Sequence, residues 1–189
     1  MKERGMIFNT EMVKAILEGR KTQTRRPVKP PFEKHPNGYI TKRVGNNRFT
    51  PYESPFGVPG DIIYVRETWC DSLHSDGYEV DGSESVHTCY GYLASGKYAC
   101  GRDVPDDVKW NPSIHMPRIA AQIFLQITDV RVERVRDISE EDAIAEGIKN
   151  LGFTEGNPHK ALYAQLYESI YGPDSWEKDW VWVYKFKVL

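Results

Sequence analysis

A short basic stretch near the N-terminus carries residue types suited to acyl-transfer chemistry. Residues 19–26 read GRKTQTRR and place Lys21 and Thr24 among three arginines. Burial and neighbouring like charges both disfavour an ammonium ion, so a lysine in such a setting loses its proton more easily. A neutral lysine can accept the proton of a threonine hydroxyl, which is a weak nucleophile without a base. The stretch therefore allows a Lys21–Thr24 dyad, while a phosphate-binding strip or a solvated face fits the same residues.

The elements around this stretch decide where its side chains point. A helix is predicted over residues 10–18, with Thr10 as the N-cap and apolar residues at helical spacing. Residues 22–26 alternate weakly and predict a strand or an extended segment. On a regular strand Lys21 and Thr24 would point to opposite faces, but Lys21 lies at the junction, where its direction is not fixed.

The remaining periodicity predicts an α+β domain with a small mixed sheet or barrel and helices packed beside it. The later helix is predicted to bury an apolar stripe made by Leu162, Leu166 and Ile170. Further strands are predicted at residues 6–8, 62–67, 88–92, 119–135 and 181–188, and further helices at 139–145 and 159–171.

Two loop-rich segments interrupt this order. Residues 29–59 are rich in Pro, Gly and Asn and predict a long loop with at most one hairpin. Residues 70–112 predict short strands and turns, with no element long enough to make a second core. A length of 189 residues suits one domain, so we interpret residues 1–189 as a single domain with insertions at about 29–59 and 70–112.

The charges are distributed unevenly along the chain. The net charge is −2, but residues 1–50 hold 12 Lys/Arg and 4 Asp/Glu, a balance of 12 − 4 = +8, which leaves −10 for residues 51–189. Such asymmetry favours a local anionic partner, such as a phosphate or an RNA strand. The alternative is that the two parts fold against each other and neutralise.

The chain contains no run of 18 or more apolar residues and no signal-peptide pattern, so we expect no membrane association. Glycine-rich phosphate motifs are absent, and we predict no cofactor. Three cysteines give no disulfide framework and fit a reducing cytoplasm. The oligomeric state is left open.

The second insertion carries several residues of types that bind zinc. They lack CxxC or CxxH spacing, so ordinary thiols and histidines are favoured and no metal site is predicted. These residues are Cys70, His74, His87, Cys89 and Cys100.

The basic stretch resembles the signature of the ASCH family, G-x-K-x-x-E-x-R. Gly19, Lys21 and Arg26 are in register, while Thr24 stands where the family usually has Glu. This departure resembles a subgroup of small bacterial ASCH proteins with the motif G-R-K-T-x-T-x-R. Those proteins are amidohydrolases that deacetylate N4-acetylcytidine with a lysine, a threonine and a distant glutamate. The resemblance implies a PUA-like fold, a small β-barrel with flanking helices.

Residues 138–146, ISEEDAIAE, resemble the subgroup's L-T-E-x-x-A-x-x-E stretch and place Glu146 in register. The resemblance implies that Lys21 is the base, Thr24 the nucleophile, and Glu146 the group that positions the amide or protonates the leaving amine. A carboxylate at a helix C-terminus lies where the dipole disfavours its charge, which suits an acid. An ordinary exposed glutamate is the alternative.

The resemblance covers residues 6–28, 60–67, 119–150 and 180–189. The segments GDIIYVRETW, HMPR and ISEEDAIAEGI also resemble larger ASCH-type proteins of phages and prophages, for which no activity is established. Candidate substrate-binding residues are those that offer charge or a stacking ring, namely Arg25, Arg26, Arg66, Glu67, Trp69 and Arg118.

Three functions follow from these features. The first is hydrolysis of an acylated or otherwise modified pyrimidine nucleoside or nucleotide through Lys21, Thr24 and Glu146. The second is a non-catalytic module that binds RNA or a modified base with the same pocket, because one fold hosts many functions. The third is a ribonuclease in which Lys21 and the arginines stabilise phosphorane charge and Thr24 is incidental.

Overall fold

The computed structural model describes residues 1–35, 40–44, 48–78, 84–149, 156 and 158–189. The predicted α+β class is confirmed, and none of the sheets formed by these residues closes into a barrel. The helices are α1 (Thr10–Leu17), α2 (Glu140–Ala145), α3 (Pro158–Tyr171) and α4 (Ser175–Lys178). The strands are β1 (Glu3–Ile7), β2 (Gln23–Pro27), β3 (Glu33–Lys34), β4 (Ile40–Val44), β5 (Arg48–Pro51), β6 (Ile62–Arg66), β7 (Trp69–Tyr78), β8 (Glu84–Tyr92), β9 (Lys97–Tyr98), β10 (Phe124–Arg134) and β11 (Trp180–Val188).

A five-stranded sheet in the order β1-β6-β10-β11-β2 carries the basic stretch on its edge strand. The C-terminal strand β11 runs antiparallel to both β10 and β2. Its register places Val183 between Arg25 and Arg131, so these three residues share one face. Tyr184 pairs with Thr24, which therefore belongs to the opposite face.

The chain divides into two compact units. The second unit contains the loop-rich segment 70–112. The first unit comprises Met1–Arg4, Ala15–Ile63 and Leu125–Leu189, and the second comprises Gly5–Lys14 and Tyr64–Phe124. The single-domain interpretation stays a prediction.

Both loop-rich segments are more regular than the sequence indicated. Within 29–59, strands β3, β4 and β5 form a three-stranded antiparallel sheet, where at most one hairpin was expected. Within the second unit, β7 and β8 form a long hairpin that pairs further with β9. The expectation of no second core was also wrong, because Cys70, Cys89 and Tyr98 are buried together beneath this sheet.

Helix α3 buries a different face from the one predicted. Its buried residues are His159, Tyr163 and Tyr167, whereas Ile170 is 46% exposed. Tyr163 and Tyr167 pack with apolar residues of β11 and α2 in the core of the first unit. The aromatic stripe therefore decides the helix orientation. Within the described residues, no helix is long and apolar enough to cross a membrane.

Candidate active site

The centre of the candidate site is a buried ion pair between Lys21 and Glu146. The Lys21 Nζ atom lies 2.7 Å from Glu146 Oε2 and 2.8 Å from the backbone oxygen of the same residue. The side chains are 1% and 2% exposed. The structure thus brings together the predicted base and the predicted carboxylate, which are 125 residues apart in the chain.

Two helix ends hold this pair in place. The Lys21 backbone N–H donates to the carbonyl of Ala15 at the end of α1, and Lys21 forms an antiparallel bridge with Glu146 just after α2. Helix α2 begins as predicted, with the Ser139 hydroxyl accepting from the backbone N–H of Asp142 at 3.1 Å. Gly147 ends the helix with a φ of +92°, which lets the chain turn directly against Ala15 and Lys21.

Arg25 extends the ion pair into a network. Its guanidinium donates to Glu146 Oε1 at 2.9 Å, to Glu133 Oε1 at 2.6 Å and to Asp142 Oδ2 at 2.8 Å. The side chain of Arg25 is fully buried. Its three carboxylate partners come from β10, from α2 and from the residue after α2, so Arg25 ties these parts of the first unit to β2.

The network is closed by a second arginine on β10. Arg131 donates to Glu133 Oε2 at 2.9 Å and to Asp142 Oδ2 at 2.6 Å. Burying an unpaired charge costs several kcal/mol, so a stable network needs matched charges. Here the cations Lys21, Arg25 and Arg131 face the carboxylates of Glu133, Asp142 and Glu146. A fourth carboxylate, the half-exposed Asp129, lies 3.5 Å from Arg131 at the edge of the network.

The setting of Lys21 favours loss of its proton. Burial is the largest influence and lowers the pKa of Lys21 below its ordinary value. Glu146 opposes this shift, whereas Arg26 and Arg25 add to it by repelling the ammonium. The net direction is downward, as the sequence analysis expected from like charges and burial.

Thr24 is buried on the other face of β2. It is 2% exposed, and it pairs with Tyr184 of β11. Its hydroxyl can act as a nucleophile only where a base accepts its proton. The Lys21 ammonium donates to Glu146, and the Lys21–Thr24 dyad stays a prediction.

Arg26 lies two residues further along the Thr24 face and lines a pocket of about 480 Å³. Such a volume falls in the range typical of small-molecule sites. Arg26 pairs with Trp182 across the sheet, so the pocket begins beside the Thr24–Tyr184 pair. The pocket is lined by Arg26, Pro27, Lys29, Tyr52, Pro55, Phe56, Tyr171 and Trp182.

Aromatic rings and cations dominate this pocket. The rings of Tyr52 and Trp182 meet edge to face with centroids 6.3 Å apart, and the Tyr52 hydroxyl donates to the Lys29 carbonyl at 3.0 Å. Lys42 Nζ lies 5.8 Å from the centre of the Tyr52 ring. No carboxylate lines the described wall. Stacking surfaces beside cations suit a planar ring that carries an anionic group.

The other predicted binding residues lie in the second unit. The Arg66 guanidinium donates to the Ile114 carbonyl, and the Arg118 guanidinium lies 4.5 Å from the centre of the Phe124 ring. Glu67 and Trp69 belong to the same unit.

Glu67 is a buried carboxyl group with little polar support. It is 1% exposed, and its only described side-chain hydrogen bond is a long one of 3.4 Å from Gln122 to Oε1. Burial raises the pKa of Glu67 to about 7. Its Oε2 atom and the Nε1 atom of Trp69 have no hydrogen-bond partner among the described residues.

Sequence reasoning missed the outer members of the network. Asp142, Glu133 and Arg131 belong to a predicted helix and a predicted strand, and no local signal marks them as site residues. Alternation does place Glu133 and Arg131 on one face of β10. It could not reveal that this face meets Arg25, because the pairing of β10, β11 and β2 is not encoded locally.

No group of three or more metal-ligating side chains is assembled among the described residues. The side chains of His74 and His87 lie outside that description. The chain matches no protein-family model, no curated protein and no solved structure.

Proposed function

We propose that this protein is an ASCH-type, PUA-like hydrolase that cleaves the amide of an acylated pyrimidine nucleoside or nucleotide, of the N4-acetylcytidine type. The observation that carries the proposal is the fully buried Lys21–Glu146 pair, whose lysine is pushed toward its neutral form. The buried Thr24 on β2, three residues after Lys21, supplies a nucleophile. A cytoplasmic location belongs to the same proposal.

The reaction follows from the roles of these groups. Neutral Lys21 takes the proton of Thr24 Oγ1 while that oxygen attacks the acyl carbon. The guanidinium of Arg26 stabilises the oxyanion of the tetrahedral intermediate. The C–N bond then breaks, and the lysine proton returns to the leaving amine, with Glu146 holding the ammonium meanwhile. Water hydrolyses the threonine ester by the same proton path and releases the carboxylic acid.

This mechanism requires Lys21 to change partner, because Thr24 lies on the opposite face of β2 from the Arg25 network. Lys21 Nζ donates to Glu146 in the described state, and it must come within hydrogen-bond reach of Thr24 Oγ1 for the first proton transfer. Arg25 remains on Glu146 Oε1 at 2.9 Å, so the carboxylate stays paired while the lysine moves. The aromatic pocket beside Arg26 holds the pyrimidine ring.

The test separates chemistry from structural support within the network. Glu146→Gln and Glu133→Gln each remove one carboxylate charge that Arg25 contacts. The mechanism predicts a fall in kcat/KM for N4-acetylcytidine of about 100-fold for Glu146→Gln, and less than about 10-fold for Glu133→Gln. Equal falls that track each variant's loss of unfolding free energy would show that the network is only structural.

The aromatic and cationic pocket also supports a second function, the binding of a modified base or RNA without turnover. A base that stacks on the ring of Tyr52 or Trp182, with its phosphate near Arg26 and Lys29, is bound without any catalytic group. Tryptophan fluorescence during titration with cytidine monophosphate measures this binding, and Trp182 is the tryptophan that lines the pocket. The second function predicts that the nucleotide quenches the fluorescence of wild type and that Arg26→Gln lowers its affinity at least 10-fold. These two results together with an absence of hydrolysis would support the second function over the first.

A further inference from the structure

Two cysteines of the second unit lie at the end of a strand pair. Strands β8 and β9 pair in a register that joins Gly91 with Tyr98 and Tyr92 with Lys97. Just beyond this ladder, the Ala99 backbone N–H donates to the Tyr90 carbonyl at 2.7 Å. Cys89 precedes Tyr90, and Cys100 follows Ala99 in a turn that is closed by a 2.8 Å hydrogen bond from the Gly101 N–H to the Tyr98 carbonyl.

The surroundings of the two thiols favour a disulfide bond. The hydrogen bond between the neighbouring residues Ala99 and Tyr90 holds the two chain segments together at this point. Each thiol also influences the pKa of the other, which places the two groups side by side. A disulfide needs Cα atoms about 4.4–6.8 Å apart, a separation that residues next to a cross-chain hydrogen bond can reach.

We propose that Cys89 and Cys100 form a reversible redox site, which small-molecule disulfides convert into an intramolecular disulfide bond. The predicted lack of a disulfide framework describes the reduced chain, in which both thiols are present. The inference is independent of the hydrolase function, because both cysteines lie in the second unit and Lys21, Thr24 and Glu146 in the first.

The two cysteines differ in a way that assigns their roles. Cys100 is exposed, and a backbone hydrogen bond from Arg102 and the hydrogen bond with Cys89 lower the pKa of its thiol. Cys89 is 4% exposed, and burial raises the pKa of its thiol. Thiolate character and access make Cys100 the attacking group and Cys89 the resolving group.

The exchange proceeds in two balanced steps. The Cys100 thiolate attacks one sulfur of the small disulfide, which gives a mixed disulfide and one small thiolate. The Cys89 thiol then loses its proton to solvent, and its sulfur attacks the Cys100 sulfur and displaces the second small thiolate. Two electrons and two protons thus pass from the protein thiols to two small thiols.

The test uses oxidised glutathione on the full-length reduced protein, followed by alkylation and peptide mass spectrometry. Wild type and Cys70→Ser should yield a linked Cys89–Cys100 peptide, with Cys70 alkylated in wild type. Cys89→Ser should instead accumulate glutathione on Cys100, and Cys100→Ser should stay largely unmodified at Cys89. The effective concentration for closing the bond should be at least 10-fold higher in native buffer than in denaturant.

Cys70 is the internal competitor, because it is buried beside Cys89 in the same small core. A linked peptide that contains Cys70 would overturn the proposal. So would a wild-type protein that stops at glutathionylated Cys100, or an effective concentration that is the same in native buffer and denaturant.

Discussion

At the scale of single residues, Lys21 combines burial with a carboxylate on one side and two arginines nearby. The ammonium is stabilised by Glu146 and destabilised by desolvation, and the balance lowers its pKa. A lysine of this kind can exchange its proton, which Arg cannot do because its guanidinium stays protonated. The residue type at position 21 therefore matters for chemistry beyond its charge.

This leads to a prediction for the pH dependence of hydrolysis. If neutral Lys21 is the base, kcat/KM rises with pH and levels off below 10.5, the ordinary lysine value. Lys21→Arg preserves the positive charge opposite Glu146 but removes the base, so turnover should fall by at least about 100-fold at every pH. A Lys21→Arg variant that keeps the wild-type profile would show that another group is the base.

Glu67 permits a second prediction at this scale, on stability. Its pKa is raised in the folded protein to about 7 from 4.5, so the folded state binds more protons than the unfolded state between these pH values. Protonated Glu67 therefore adds up to about 3 kcal/mol to the free energy of unfolding below about pH 4.5. This contribution is lost as the pH rises through about 7.

Denaturant unfolding at about pH 5 and about pH 8 measures this effect. Glu67→Gln keeps the shape and removes the titration, so its unfolding free energy should lose that part of the pH dependence. Gln122→Ala removes only the 3.4 Å hydrogen bond and should keep the pH dependence. Identical pH profiles for wild type and Glu67→Gln would contradict the assignment.

At the scale of elements, the turn after α2 decides where Lys21 lies. Gly147 has a φ of +92°, and a Cβ atom there would come within 2.9 Å of the Ala15 Cβ and 3.1 Å of the Lys21 Cβ. Any side chain at this position strains the backbone and also pushes against Lys21, the proposed base. The glycine is thus required for both reasons.

Gly172→Ala is the matched control for Gly147→Ala, because Gly172 has a similar φ of +98° but open space around an added methyl group. Both variants suffer backbone strain of about 1 kcal/mol. Only Gly147→Ala should lose substantially more stability, as measured by denaturant unfolding, and also lower kcat/KM, because Lys21 is displaced. Equal losses of unfolding free energy and of kcat/KM in the two variants would mean that the close approach to Lys21 affects neither stability nor activity.

The elements also show what the sequence can and cannot predict. Helix α2 was predictable, because Ser139, Asp142 and Gly147 are local signals for its start and end. The buried face of α3 was not, because Tyr163 is selected by the β11 core and by Arg25, which lies 6.0 Å from its ring centre. The long β7–β8 hairpin was missed because its polar sequence shows no apolar alternation.

At the scale of the whole molecule, the charge asymmetry has a partly internal explanation. Lys21 and Arg25 belong to the basic N-terminal part, and they are buried against Glu133, Asp142 and Glu146 of the acidic part. This is the neutralising alternative that the sequence left open, and it removes these two cations from any surface strip. Arg26 and Lys29, in contrast, line the aromatic pocket.

The same distribution predicts shallow salt dependence for any RNA binding. Two or three phosphate contacts on a single strand give a slope of log K against log salt no steeper than about −2. Fluorescence titration of a short single-stranded RNA oligonucleotide over a range of salt concentrations measures the slope. A slope steeper than about −4, expected for six or more contacts, would instead assign the molecule to the RNA-binding class.

The most direct test of the central claim is the hydrolysis of N4-acetylcytidine, followed by absorbance, with wild type, Thr24→Val and Thr22→Val in parallel. Thr24 is buried beside the pocket face, whereas Thr22 is exposed on the same short segment. The account predicts turnover by wild type and Thr22→Val, and its loss in a folded Thr24→Val. Absence of turnover by folded wild type, or unchanged turnover by Thr24→Val, would contradict it.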